Sequence, residues 1–403
     1  MPCFSIAKVL AATPARVNVS PLAKKLSYYA SDRPFAFHQS LPGYAATPLV
    51  SLKDLASQDG LGGIFVKDES KRFGLNAFKC LGSSFAVAAY IARLVGLESL
   101  LGTAHGLDFS TLIRFADKKV LGELTFMTAT DGNHGRGLAW AARMLGHKAV
   151  VIVPKGTVQA RIDNIRKEGA EVLVTDLSYD ECVQLAADRA TRENCVLVQD
   201  TSFEGYEEIP LRIMQGYTTI VHELVSQADA SFEPTHVFLQ AGVGSFAAAI
   251  AASLLSLWPR ITIVIVEPAS ADCLYRTARE GKTTLQKVDT PMTSMMAGLC
   301  CGTPSTQAWD ILRRCASFYL TCEDDAYACG MRVYAHPVGN DTAIESGESG
   351  AVTLGVLHGL MQDDDKVELR KVLGLGPRSQ VLLVNTEGAT DPENYRKVLS
   401  MEQ

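Results

Sequence analysis

The feature that most constrains this chain is a recurrence. Between about residues 123 and 201 a short run rich in β-branched residues returns about every 22 to 25 positions, room for one strand, one helix and their turns. The runs are 124–129 (LTFMTA), 149–153 (AVVIV), 171–175 (EVLVT) and 195–199 (CVLVQ). They are continuously apolar rather than alternating, as strands covered on both faces must be. Helical patterns fill the gaps at 135–145, 158–168 and 179–190. Parallel strands joined by helices form βαβ units. Strand-like runs return at 235–239, 261–266 and 380–384. The predicted fold is an open, mostly parallel α/β architecture flanked by helices, which binds ligands beyond the carboxyl ends of its strands. Three such ends carry small or polar residues: Thr130-Asp131-Gly132-Asn133-His134, Gln240-Ala241-Gly242-Val243-Gly244-Ser245 and Asn385-Thr386-Glu387-Gly388.

Composition narrows the partners. The chain has 403 residues, enough for two or three domains at about 150 residues each. Hydrophobic residues make up 47% and charged residues 20%, which excludes disordered, collagenous and coiled-coil chains. The net charge of −6 leaves no basic footprint for nucleic acid or anionic lipid. Mean hydropathy is +0.09, yet no apolar run approaches the roughly 20 residues of a membrane span, so the apolar content is assigned to a buried core. The first 25 residues lack the long apolar stretch of a secretory signal; a short Arg-bearing transit peptide is the alternative. Ten cysteines match no zinc spacing, so no metal site is expected, and they read as free thiols of a cytoplasmic protein. A local disulfide involving Cys273 or Cys300 is the alternative. Residues 97–119 are irregular and read as an insertion or surface excursion.

Two segments carry chemistry. Gly242-Val243-Gly244-Ser245-Phe246 follows a strand and opens an Ala-rich helix at 247–255. Glycines let backbone N–H groups approach an anion, the helix N-terminus adds positive charge, and Ser245 can donate once more. The loop lacks the Lys-Ser/Thr ending of a Walker A motif and the third glycine of the dinucleotide fingerprint. A packing turn is the plain alternative. The second segment places Lys79 after Phe78, at the mouth of an apolar, small-residue helix over 82–94. Burial there is expected to lower the lysine pKa and free its amine for a Schiff base. An isolated lysine is otherwise an ordinary surface charge.

In combination these residues resemble a family. An acidic strand end, Phe78-Lys79 with Gly82, a Gly-Asn-His strand end and a glycine-rich loop, in that order, resemble the fold type II pyridoxal-phosphate enzymes, tryptophan synthase β-like in fold and including the serine and threonine dehydratases. The segments KDESKRFGLNAFK (67–79), TATDGNHGRGLAWAA (128–142), VQDTSFEGY (198–206) and NTEGATDPENY (385–395) are similar to those of the diaminopropionate ammonia-lyases. The resemblance implies two open twisted sheets and two domains, residues 1–89 with 203–403 and residues 90–202, with the active site in the cleft. It implies pyridoxal 5'-phosphate as cofactor, a small amino acid as substrate and a homodimer. Lys79 would hold the cofactor as a Schiff base, and Phe78 would support its ring. Asn133 would bond its 3-hydroxyl, Gly242 to Phe246 its phosphate, and Thr386 would face the pyridine nitrogen, with Asn385 adjacent and also polar. Thr130, Asp131, Gly132 and His134 would meet the substrate.

The dehydratases typically read Ser-Ser-Gly-Asn-His where this chain has Thr130-Asp131-Gly132-Asn133-His134. A carboxylate beside the substrate's own carboxylate is repulsive, but near the α-carbon it can act as a general base. Asp200 ends a strand of the same series. The resemblance assigns the two acids to opposite faces of the bound substrate, Asp131 to the D isomer and Asp200 to the L isomer. Taken alone, Asp131 also suits a helix cap and Asp200 a turn. His134 reads as contacting its own turn or the core. The segment Ser346-Gly347-Glu348-Ser349-Gly350-Ala351 resembles the dehydratases' Glu-x-(Ser/Ala)-Gly-Ala stretch, with Gly347 where their Glu stands. The expected function is α,β-elimination of ammonia from 2,3-diaminopropionate, the released aminoacrylate then hydrolysing to pyruvate and a second ammonia. A serine or threonine dehydratase and a non-catalytic cofactor-binding protein are the alternatives.

Overall fold

The computed structural model describes residues 6–12, 20–103, 106–230, 232–281 and 284–401. Among the described residues eleven strands run in order: β1 (Ile6–Ala11), β2 (Leu49–Ser51), β3 (Gly63–Asp68), β4 (Thr125–Ala129), β5 (Lys148–Val153), β6 (Glu171–Val174), β7 (Val196–Leu197), β8 (His236–Gln240), β9 (Thr262–Pro268), β10 (Phe318–Cys322) and β11 (Gln380–Asn385). They form two sheets, β6-β5-β4-β7 and β1-β10-β9-β8-β11-β3-β2. The smaller is parallel throughout. The larger is parallel except at its edges, where β1 runs antiparallel to β10 and β2 antiparallel to β3. Mostly parallel sheets flanked by helices agree with the predicted architecture.

The recurring apolar runs became β4 to β7, though the last kept only two residues in the ladder. The two antiparallel edge strands left no such signal. β1 has exposed or half-buried positions throughout, so apolar continuity could not mark it. The first 25 residues, where a leader was weighed, lie partly outside the described residues. Among the described residues no helix is long and apolar enough to cross a membrane.

Eight helices matter for the site: α1 (Lys79–Leu94), α2 (Asn133–Met144), α3 (Gln159–Lys167), α4 (Tyr179–Arg192), α5 (Glu208–Tyr217), α6 (Thr219–Gln227), α7 (Ser245–Leu257) and α8 (Glu348–Gln362). Helix α7 is apolar on all sides because the core surrounds it; ten of its residues, from Ser245 to Leu254, are buried. Helices α1, α2 and α5 pack with almost no gap. A Cβ on Gly216 would lie 2.4 Å from the Leu81 carbonyl oxygen, and one on Gly137 2.9 Å from the Cys80 backbone. These contacts fix the first turn of α1, and so the residue that begins it, Lys79.

The described residues between 97 and 119 include a helix that the irregular sequence did not suggest. A helix at Phe109–Phe115, capped by Asp108, buries Phe109 and Leu112 in the main core. Its seven residues fall short of the roughly 11-residue window over which a helical pattern can be recognised in a sequence.

Candidate functional site

Four strand ends and one helix start meet in one cavity. Thr130, Asp131, Asn133 and His134 follow β4, and Asp200 follows β7, on the four-stranded sheet. Gly242 to Phe246 follow β8, and Thr386 with Glu387 follow β11, on the seven-stranded sheet. Phe78 and Lys79 open α1. All of these line the cavity; Gly132 does not and packs against Arg161, whose Cδ would lie 3.1 Å from a Cβ there.

Lys79 Nζ donates to Asp200 Oδ2 in a partly buried ion pair. The expected lowering of the lysine pKa is therefore overturned. Burial does push the amine down, but the nearby acidic groups, Asp200 foremost, raise it above the ordinary lysine value. Burial alone would likewise raise the Asp200 carboxyl, yet His134 and Lys79 hold it down to about 2. His134 Nδ1 lies 3.9 Å from that carboxylate. Burial pushes His134 below its usual value, against the opposing pull of the Asp200 carboxylate. The other imidazole nitrogen meets the Val198 carbonyl at 2.8 Å, a core contact as expected.

Neither acid is a helix cap. The N-cap of α2 is Gly132, with no side-chain capping bond, so Asp131 remains free of that duty. Asp131 Oδ2 and Ser349 Oγ converge on Gly298, where a Cβ would meet them at 3.5 and 3.2 Å. Thr130 braces the turn, its hydroxyl accepting the N–H groups of Gly132 at 3.0 Å and Gly135 at 3.2 Å.

The glycine loop forms a cradle. The N–H groups of the first turn of α7 have no intrahelical partner by construction, and they carry the positive end of the helix dipole. Gly244, at φ +96°, turns the chain into that helix in the left-handed region. A Cβ on Gly242 would press on Cys301 Sγ at 2.9 Å and on the Gly298 carbonyl at 3.1 Å. The Ser245 hydroxyl, expected to face an anion, instead donates to the Asp200 carbonyl at 2.6 Å. That bond fastens the cradle to the residue beside Lys79.

Phe78 makes one wall, its ring 4.6 Å from Phe246 and 4.8 Å from Tyr217. At the far end Gln240 Nε2 donates to Thr386 Oγ1 at 3.1 Å and to the Val384 and Ser349 carbonyls. Asn385 turns away and bonds Asp68 and Ser346, so of the two adjacent polar residues only Thr386 lines the cavity. Asn133 Nδ2 donates to Glu387.

Several lining residues gave no sequence signal. Tyr179 starts α4, Tyr217 ends α5, and the loop around Gly298 and Cys301 follows no strand. Each reaches the cavity through tertiary packing. Cys301, next to Cys300 in the chain, carried no signal beyond that of an ordinary thiol. Cys273 and Cys300 are free thiols, and no metal-ligating cluster occurs among the described residues.

Whether the cavity fits pyridoxal phosphate can be tested on its unused polar atoms. Gln240 Oε1, Ser349 Oγ and Tyr217 Oη are buried without a hydrogen-bond partner and all belong to lining residues. An anion cradle, an aromatic wall, a lysine amine and spare polar atoms match a phosphorylated aromatic aldehyde. The comparisons agree. Residues 41–386 match the family model described as pyridoxal-phosphate dependent enzyme. Diaminopropionate ammonia-lyase of Escherichia coli strain K12 is 46% identical over 367 residues, 90% of this chain and 89% of that protein. The Salmonella typhimurium enzyme of the same name is 45% identical over 90% of both chains. The holo crystal structure of the Escherichia coli enzyme superposes with a TM-score of 0.90 at 42% identity, covering 98% of this chain and 97% of that one. A tomato threonine deaminase, at 16% identity and a TM-score of 0.71, shares the fold. By sequence, fold and cavity, this chain belongs to the pyridoxal-phosphate-dependent enzymes, in the family of the diaminopropionate ammonia-lyases.

Proposed function

We propose that this protein is a diaminopropionate ammonia-lyase, converting 2,3-diaminopropionate and water to pyruvate and two ammonia by α,β-elimination followed by hydrolysis. The observation that carries the reading is the pairing of Lys79 with Asp200 in a cavity that Asp131 also lines. When bound, pyridoxal phosphate supplies the electron sink that acidifies the substrate's α-carbon. Lys79 is the amine that holds it, and the first turn of α7, with Gly242 to Phe246, neutralises its phosphate. Phe78 packs against its ring. Thr386, a neutral group already bonded to Gln240, faces the ring nitrogen, and Asn133 its 3-oxygen.

Asp200 is held ionised beside Lys79 and takes the α-proton of the L isomer. Asp131 takes that of the D isomer. A dehydratase has no use for this second carboxylate, which favours a substrate with a basic β-amine. Residues 90–202 and the remainder of the chain form two domains around this cleft; each sheet draws its strands from one of the two groups. We place the enzyme in the cytoplasm, where its free thiols persist, and as a homodimer, on family likeness alone.

Purified protein supplied with D- and L-diaminopropionate should release pyruvate. Turnover of DL-serine with none of diaminopropionate would instead establish a dehydratase. Lys79→Ala should lose the visible absorbance of the covalently held cofactor; an unchanged spectrum would remove Lys79 from this role.

A further inference from the structure

The carboxylate of Glu387 has no place in the roles above, yet it is 3% exposed and forms part of the cavity wall. Its two oxygens are held from three directions. Oε1 accepts the backbone N–H of Ser349 at 3.1 Å. Oε2 accepts from Asn133 Nδ2 at 2.5 Å and from Thr390 Oγ1 at 3.2 Å.

The Ser349 bond has a helical reason. Ser349 stands in the first turn of α8, whose N-cap, Gly347, has no side chain to satisfy the exposed N–H groups. Glu387 does so from the neighbouring segment, where the helix dipole favours a negative charge. Gly347 makes the room: a Cβ there would lie 3.0 Å from the Glu387 carboxylate and 2.6 Å from the Gly388 carbonyl.

The Asn133 bond has a chemical consequence. A carboxylate only accepts, so the amide must turn its NH2 group, never its oxygen, toward Glu387. One N–H is spent there. The second N–H and the carbonyl oxygen remain for the cavity, in one fixed orientation. The same bond crosses from the seven-stranded sheet to α2 on the four-stranded sheet.

We propose that Glu387 is the positioning residue for Asn133: it sets which way the amide faces and so presents an N–H donor to the cofactor's 3-oxygen. This rests on the assignment of Asn133 to that oxygen. Glu387→Gln separates positioning from helix capping. A glutamine oxygen still accepts from Ser349, but its NH2 group lets the Asn133 amide turn over.

The test is cofactor titration of the apo-protein, with the absorbance spectrum of the holo form, for the wild type, Glu387→Gln, Asn133→Ala and the double variant. Glu387→Gln should bind pyridoxal phosphate about tenfold more weakly and shift the absorbance maximum in the same direction as Asn133→Ala. The double variant should add little to either, since both changes remove one interaction. Gly347→Ala crowds the carboxylate at an ordinary φ of −77° and gives a second route to the same shift. A wild-type spectrum and affinity in Glu387→Gln, with Asn133→Ala shifted, would overturn the positioning role and leave the Asn133 assignment standing. A wild-type Asn133→Ala would overturn that assignment itself.

Discussion

At the scale of single residues, the site depends on which charges are held ionised. Lys79 and Asp200 are buried together, and each keeps the other charged. Asp131 lies outside that pair, although its charge reaches Lys79. The two acids should therefore fail differently. Asp131→Asn should lower kcat on the D isomer by about 10²- to 10⁴-fold and spare the L isomer, with the converse for Asp200→Asn. Steady-state assays with each enantiomer check this; equal losses on both isomers would end the two-face model. Lys79, Asp131, Asp200 and the glycine loop, which the structure brings to one cavity, could be picked out in the sequence because each sits in a short contiguous motif. The direction of the Lys79 shift was not, because it is decided by Asp200, 121 residues away.

At the scale of elements, strand ends and helix starts do most of the positioning. Gly244 stands in the left-handed region at the start of α7, where an alanine is strained by roughly 1–2 kcal/mol. Its Cβ would also press on Leu274, Leu312 and Ala308 at 3.2 to 3.3 Å. Gly244→Ala should thus weaken cofactor binding about tenfold, read by titration of the apo-protein. A second junction lies beyond β9. Glu267 is fully buried and accepts the N–H groups of Leu274 and Tyr275 at the start of the helix Cys273–Arg279. Burial outweighs those bonds and pushes its carboxyl up to about 8. An unfolded glutamate titrates near 4.3, so between about pH 4.3 and 8 the native state binds more protons than the unfolded one. Stability from this group is thus complete below that window and falls as pH rises through it. Glu267→Gln should flatten the decline of Tm between about pH 5 and 8. An unaltered slope would show that Glu267 is ionised in the native protein.

At the scale of the whole molecule, the lysine-bearing segment is anchored by a buried charge cluster. Lys67 from β3 donates to Glu223 on α6 at 2.7 Å. Arg72 spans Glu223 and Glu69, with contacts of 2.6 to 2.8 Å. Two cations face two carboxylates with almost no exposure. Removing one partner leaves uncompensated charge, so Glu223→Ala should cost about 3–5 kcal/mol in denaturant unfolding. A loss below about 1 kcal/mol would mean that water enters to replace the carboxylate. The motif containing Lys67, Glu69 and Arg72 was visible in the sequence, but its purpose was not. Its counter-charge lies on a helix about 150 residues further on, which no local pattern marks.

The sequence by itself determined the parallel α/β framework and picked out Lys79, the glycine loop, Asp131 and Asp200 as candidates, because strand burial and backbone turns are written in contiguous residues. Only the tertiary structure decided the antiparallel edges, the Lys79–Asp200 pairing, the tyrosines of the wall and the place of Glu387. Those depend on pairings between distant segments, where the energy comes from desolvation and from partners that proximity in the chain does not supply.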